Sequence, residues 1–174
     1  MDHPAGFRLG AVDVHYPESG GARAALVTAD DDRFAPILAE RVAWLDHVQP
    51  YEPGAFYARE LPALRTVLDG VDLELLVVDG YVDLDPDGRP GLGAHVRAAL
   101  GVPVIGVAKT AFRTATHAAA VRRGSSTRPL YITAAGLPVA EAATLVERMA
   151  GPHRLPDALR RVDALARGAA PRHE

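Results

Sequence analysis

The stretch Leu75–Gly80 reads Leu-Leu-Val-Val-Asp-Gly, so that four apolar residues run directly into an acid and a glycine. A continuous apolar run of this length is typical of a strand buried on both faces, as in parallel sheets covered by helices. Open sheets of this kind place their ligands beyond the carboxyl ends of their strands, which is where Asp79 stands. The stretch therefore predicts an α/β fold with a functional edge.

Two other stretches have a related form. Leu9–His15 contains Asp13 among strand-forming residues, and Val102–Lys109 is an apolar run that ends on a lysine. If these three strands are neighbours in the sheet, Asp13, Asp79 and Lys109 meet at one edge.

The order of the remaining elements predicts a mixed sheet. Residues 8–16, 22–29 and 37–48 are predicted as an antiparallel three-strand meander, after which helices and parallel strands alternate. Helices are expected at 55–68, 94–100 and 138–150 and in a final segment that ends near residue 167, with further strands at 75–80, 102–109 and 130–133. Residues 110–128 have little apolar periodicity, and their tail, Arg122–Arg128, is predicted as an exposed or mobile loop.

Composition narrows the class of protein. The chain has 174 residues and no evident linker, so residues 1–174 are predicted to form a single domain. The absence of cysteine excludes disulfides and thiolate metal sites and fits a cytoplasmic protein. No apolar run approaches the roughly 20 residues of a membrane-spanning helix. A net charge of −3 excludes a uniformly basic nucleic-acid binder but permits a local basic face.

The strand-end acids suggest a metal site. Asp13 and Asp79 suit a hard divalent cation such as Mg²⁺. Glu60, on the first predicted helix, could complete the set of ligands. Lys109 could balance the charge or contact a phosphate. An Asp before Gly is more often a turn residue, and Glu60 or Lys109 alone is more often a solvated surface residue. Asp13 is harder to explain in that way, because an acid buried in a strand without a partner is costly.

The motifs, taken in order, resemble the endonuclease V family, whose members are divalent-metal nucleases that cut nucleic acid near deaminated purines. The resemblance covers most of residues 8–167 and rests on these segments: Gly10–His15, Pro50–Pro62, Leu76–Gly80, Gly91–His95, Val102–Lys109, Arg154–Asp157 and Arg160–Asp163. It implies a ribonuclease-H-like fold, a mixed sheet flanked by helices.

The resemblance also implies roles for individual residues. Asp13, Asp79 and Glu60 would bind Mg²⁺, or Mn²⁺ in its place, and Lys109 and Asp163 would complete the catalytic set. In the family, a Pro-Tyr wedge enters the nucleic acid. The corresponding nucleic-acid-binding residues would be Pro50, Tyr51, Pro53, Gly54 and Gly80. The expected partner is DNA or RNA, with no membrane association, and the expected state is a monomer.

Two departures from the family pattern leave alternatives open. The loop at residues 81–89 is acidic where the family has histidine and basic residues, and the loop at residues 133–137 lacks the family's histidine. The first hypothesis is an endonuclease that acts near inosine-type or distorted bases. The others are a nucleic-acid-binding protein that has lost efficient cleavage, and a nuclease with a non-inosine substrate such as single strands or RNA alone. Arg122, Arg123 and Arg128 could bind phosphates or could simply be solvated.

Overall fold

The computed structural model of the chain describes residues 8–50, 52–53 and 56–172. Their strands, in chain order, are β1 (Leu9–His15), β2 (Ala22–Ala29), β3 (Ala39–Leu45), β4 (Leu75–Asp79), β5 (Val104–Ala108), β6 (Ala119–Val121) and β7 (Leu130–Ala135). The helices are α1 (Phe56–Leu68), α2 (Leu92–Leu100), α3 (Val139–Arg148) and α4 (Asp157–Ala166). In this part of the chain, no helix has the length and hydropathy needed to cross a membrane.

The strands form one mixed sheet in the order β3-β2-β1-β4-β5-β7-β6. β1, β2 and β3 are antiparallel neighbours, whereas β4 is parallel to both β1 and β5. On the other side of β5, β7 is antiparallel to β5, and β6 is antiparallel to β7. The predicted mixed sheet is therefore confirmed, and β1, β4 and β5 are neighbours as the sequence predicts. The expectation that all strands after the meander are parallel is wrong for β7, which pairs antiparallel with β5.

The register aligns the carboxyl ends of the three central strands. Val12 pairs with Val78, and Asp79 pairs with Val107. We call the line formed by the ends of β1, β4 and β5 the carboxyl edge. Asp13 and Asp79 lie at this edge, and Lys109 follows β5 directly.

Alternate residues of the central strands pack against different helices. In β4, Leu75 and Val77 face a core that includes α3 and α4. Leu76 and Val78 face a second core that includes α1 and α2. This follows from the two-residue period of a strand, which directs neighbouring side chains to opposite faces. The sheet is thus covered on both sides, as the continuous apolar run predicts.

The prediction of an exposed loop at Arg122–Arg128 is wrong for Arg123, of which only 6% is exposed. Just before this loop, β6 pairs with β7 and forms a strand that the sequence did not predict. A three-residue strand is too short to show periodicity, and the groups that bury Arg123 are distant in sequence. Elsewhere the element boundaries differ only by a few residues, and Gly101 ends α2 in the left-handed conformation with a φ of 72°.

Candidate active site at the carboxyl edge

Asp13 and Asp79 are positioned by the central strands themselves. The backbone N–H of Val14 donates a hydrogen bond of 2.9 Å to Asp13 Oδ1. Asp79 is the last residue of β4, and Gly80 then turns the chain with a φ of 119°. The Gly80 N–H donates to the carbonyl of Val107 at 2.9 Å, so the turn stays attached to β5.

Two adjoining clefts meet at the two aspartates. Asp13 and Asp79 line both clefts; Glu60, on α1, lines one, and Lys109 lines the other together with Leu155. The predicted site residues Asp13, Glu60, Asp79 and Lys109 are thus brought to one place by three strand ends and a helix.

Burial and mutual repulsion raise the pKa of the acids at the carboxyl edge. Burial, followed by the charge of Asp79, raises the pKa of Asp13 to about 7. Burial, followed by the charges of Asp13 and Asp79, raises the pKa of Glu60 to about 8. Burial also raises the pKa of Asp79, although the nearby Lys109 ammonium opposes that rise. Acids in such surroundings take up protons or bind a cation, because either relieves their repulsion.

Asp163 approaches the same acids from α4. Its carboxyl group shares a hydrogen bond with Asp13, and Arg167 Nε donates to its two oxygens at 3.1 and 3.2 Å. Burial alone would raise the pKa of Asp163, but the hydrogen bonds from Arg167 and Asp13 outweigh it and lower this pKa. The carboxyl groups of Asp13 and Asp163 thus lie within hydrogen-bonding reach of each other at the carboxyl edge.

The donor set has the chemistry of a hard divalent cation. Among the described residues, no three histidine or acidic side chains converge as a preformed ligand cage. Mg²⁺ does not need such a cage, because it is usually held by one or two carboxylates and completes its shell with water and phosphate oxygens. Asp13 and Asp79, with Glu60 beside them, fit an open site of that kind.

The predicted nucleic-acid-binding residues are only partly described. Pro50 and Pro53 are exposed in the loop before α1, whereas Tyr51 and Gly54 lie outside the described residues. Gly80 directly follows Asp79, and a Cβ built there would have no atom within 4 Å. The backbone beside the acids is therefore open to an approaching ligand.

A contact between two loops escaped the sequence analysis. The Tyr81 hydroxyl donates to the carbonyl of Thr110 at 2.8 Å and accepts from the Phe112 N–H at 2.9 Å, and the rings of Tyr81 and Phe112 lie 5.9 Å apart. Thr114 Oγ1 also donates to the carbonyl of Leu84 at 2.6 Å. The loop after Asp79 is thereby attached to the loop after Lys109. Their separation of about 30 residues leaves no local sequence signal for this contact.

A mixed sheet covered by helices on both faces, with acids at the ends of its central strands, defines a ribonuclease-H-like α/β protein. Residues 3–133 match the family model of endonuclease V, and the chain therefore belongs to the endonuclease V family. It is 32% identical to endonuclease V of Streptomyces coelicolor, over 95% of this chain and 80% of that protein.

Solved structures agree with this assignment. The endonuclease V structure from Streptomyces avermitilis superimposes with a TM-score of 0.78 at 26% identity, covering 94% of this chain and 81% of that one. Endonuclease V of Ciona intestinalis, solved with a 24-mer DNA containing an inosine followed by a ribo-adenosine, gives a TM-score of 0.80 over 92% of this chain and 84% of that one. At 16% identity, the second likeness shows the fold alone.

Proposed function

We propose that the chain is a divalent-metal-dependent endonuclease that hydrolyses a phosphodiester bond in DNA or RNA near a deaminated, inosine-type or otherwise distorted base. The observation that supports this most is the placement of Asp13 and Asp79 between two clefts, with Glu60 lining one cleft from α1 and Asp163 approaching Asp13 from α4 on the opposite face of the sheet. Membership of the endonuclease V family gives the reaction class.

Asp13, Asp79 and Glu60 would hold Mg²⁺, or Mn²⁺ in its place. When bound, the ion would activate water and stabilise negative charge on the phosphate. Lys109, which lines the cleft beside Asp79, would contact a phosphate oxygen with its ammonium group. Asp163 would hold the Asp13 carboxyl in place through their hydrogen bond, which a cation at Asp13 would compete with.

Nucleic-acid contacts would come from the loop before α1 and from the turn after Asp79. Pro50 and Pro53 are exposed, as a wedge requires, and Gly80 leaves its backbone open. Tyr51 would stack where a base has been displaced. Unstacking a base costs a few kcal/mol and is cheapest at mismatched or damaged positions, which favours a distorted substrate.

One observation favours the alternative of a non-inosine substrate or of binding without efficient cleavage. The loop at residues 81–89 is acidic, and Asp85 Oδ1 shapes it by accepting the N–H groups of Asp87 and Arg89 at 3.0 and 3.1 Å. A negatively charged loop so close to Asp79 repels phosphates that would otherwise lie beside it. This would restrict which nucleic-acid shapes can reach the acids.

The test is cleavage of a labelled inosine-containing strand as DNA and as RNA, in single- and double-stranded form, with Mg²⁺ or Mn²⁺. Asp79→Ala should abolish cleavage, whereas Asp72→Ala should not, because Asp72 is an exposed acid just before the opposite end of β4. Cleavage without a preference for inosine would support the non-inosine substrate. Binding with no cleavage of any strand would reject the endonuclease.

A further inference from the structure

Lys109 is the single lysine of a chain that has 18 arginines. It stands just past the end of β5, because the ladder between β5 and β7 finishes with the pair Ala108–Tyr131. Its side chain is a flexible four-carbon stem with a compact charge, so the direction it takes depends on how firmly its backbone is held. Beyond the ladder, something other than the sheet must hold that backbone.

The group that holds it is the guanidinium of Arg154. Arg154 Nη2 donates to the carbonyl of Lys109 and, at 2.8 Å, to the carbonyl of Pro129. Arg154 Nε donates to the carbonyl of Arg128 at 3.0 Å. One planar group therefore joins the exit of β5 to the entry of β7, a fork geometry that a lysine ammonium does not reproduce.

Arg154 is itself held in place by a second arginine. The guanidinium of Arg123 donates to the carbonyls of Met149 and Gly151 through Nη2 and to that of His153, at 2.8 Å, through Nη1. These acceptors form the connection between α3 and α4, which wraps around Arg123. The connection ends at Arg154, and the next residue, Leu155, lines the cleft together with Lys109 and Asp79.

We propose that Arg154 is a positioning residue for Lys109. Its fork fixes the point from which the lysine stem leaves the backbone and thereby keeps the ammonium beside Asp79. The proposal rests on the proposed function only where it concerns catalysis, because the geometry of Lys109 is measurable in the protein alone. Arg154 acts through Lys109 and needs no contact with substrate.

The single lysine supplies a direct probe. Reductive ¹³C-methylation labels only Lys109 Nζ and the N-terminal amine, and the methylated lysine keeps its charge. In the otherwise unchanged protein without metal, Asp79→Asn should shift the Lys109 ¹³C resonance, because the two charges interact. In Arg154→Ala and Arg154→Lys backgrounds, this response should be lost, whereas in Arg148→Ala, an exposed arginine at the end of α3, it should persist. A response that persists in both folded Arg154 variants overturns the proposal.

Activity gives an independent readout. On the inosine-containing strand, Arg154→Lys should lower kcat by about tenfold or more, since a small misplacement of a catalytic group has effects of this order. KM and the affinity for Mn²⁺ should stay within about twofold, because Asp13, Asp79 and Glu60 are unchanged. A loss of Mn²⁺ affinity in step with kcat would indicate general structural damage and reject the proposal. If the wild-type protein cleaves nothing, the proposed function fails, while the NMR response still decides the role of Arg154.

Discussion

Gly106 lies where the turn after Asp79 crosses β5. A Cβ at this position would stand 2.5 Å from the carbonyl oxygen of Gly80 and 2.7 Å from Thr133 Oγ1. Thr133 Oγ1 also accepts the N–H of Val82 at 2.8 Å and so fixes the same turn from β7. The position of Gly80 beside the acids thus depends on a residue with no side chain.

We expect Gly106→Ala to lower the free energy of unfolding by about 1–3 kcal/mol, the usual cost of forcing atoms into a well-packed interior. It should also reduce activity, because the backbone of Gly80 must move. Urea unfolding and the cleavage assay measure the two effects. Gly10→Ala is the matched control, since Gly10 lies in β1 and its added Cβ would meet chiefly the flexible end of Leu73. Equal losses in the two variants would contradict this explanation.

At the scale of elements, another arginine fork attaches α4 to β3, the edge strand of the sheet. Arg161 donates to both oxygens of Glu40, on β3, at 2.6 and 2.9 Å, and the Glu40 side chain is 4% exposed. Arg161 also donates to the carbonyl of Ala170, and Glu40 accepts the N–H of Arg172. This clamp fixes the helix that brings Asp163 to the carboxyl edge.

Arg161→Ala should destabilise the protein by about 3 kcal/mol, because it leaves a buried carboxylate without a positive charge and with only the N–H of Arg172 as a donor. Arg167→Ala removes an ion pair from the same helix, but that arginine side chain is 61% exposed, so the expected loss is below about 1 kcal/mol. Chemical denaturation of both variants gives the comparison. Similar losses would show that burial of Glu40 does not determine the strength of its pair.

The elements also show what a sequence can predict. β1, β4 and β5 were predictable because apolar runs and their terminal charges are local signals. β6 was not, because it consists of three residues stabilised by pairing with β7. The arginine forks were not predictable either, since their acceptors are backbone carbonyls that lie 25 or more residues away for Arg123 and Arg154. Sequence patterns indicate apolar faces and strand ends, whereas such forks depend on the completed fold.

At the scale of the whole molecule, the two faces of the sheet have complementary roles. α1 covers one face and brings Glu60, while α4 covers the other and brings Asp163. The sequence predicted the meeting of Asp13, Asp79 and Lys109, because parallel strands end at a common edge. It did not predict from which face each helix approaches. The resulting repulsion among the acids lowers the stability of the protein when no cation is bound.

The metal-free protein should become less stable as pH rises. The pKa of Asp13 is raised to about 7 and that of Glu60 to about 8, so the native state keeps protons that the unfolded chain releases above about pH 4. Their contribution to stability is complete below the unfolded pKa and is lost as pH rises through the folded pKa. In EDTA we expect the Tm to fall between about pH 5 and pH 8, by about 2–4 °C for each kcal/mol of stability lost, and to fall less steeply in Asp13→Asn.

At the higher pH, Mn²⁺ should raise the Tm of the wild-type protein, because a ligand bound only by the native state stabilises it. The same ion should raise the Tm of Asp13→Asn much less. Calorimetry decides the matter: a Tm in EDTA that is flat or rising over this range, or an equal Mn²⁺ effect in both proteins, would mean that the acids at the carboxyl edge neither repel one another nor share an ion.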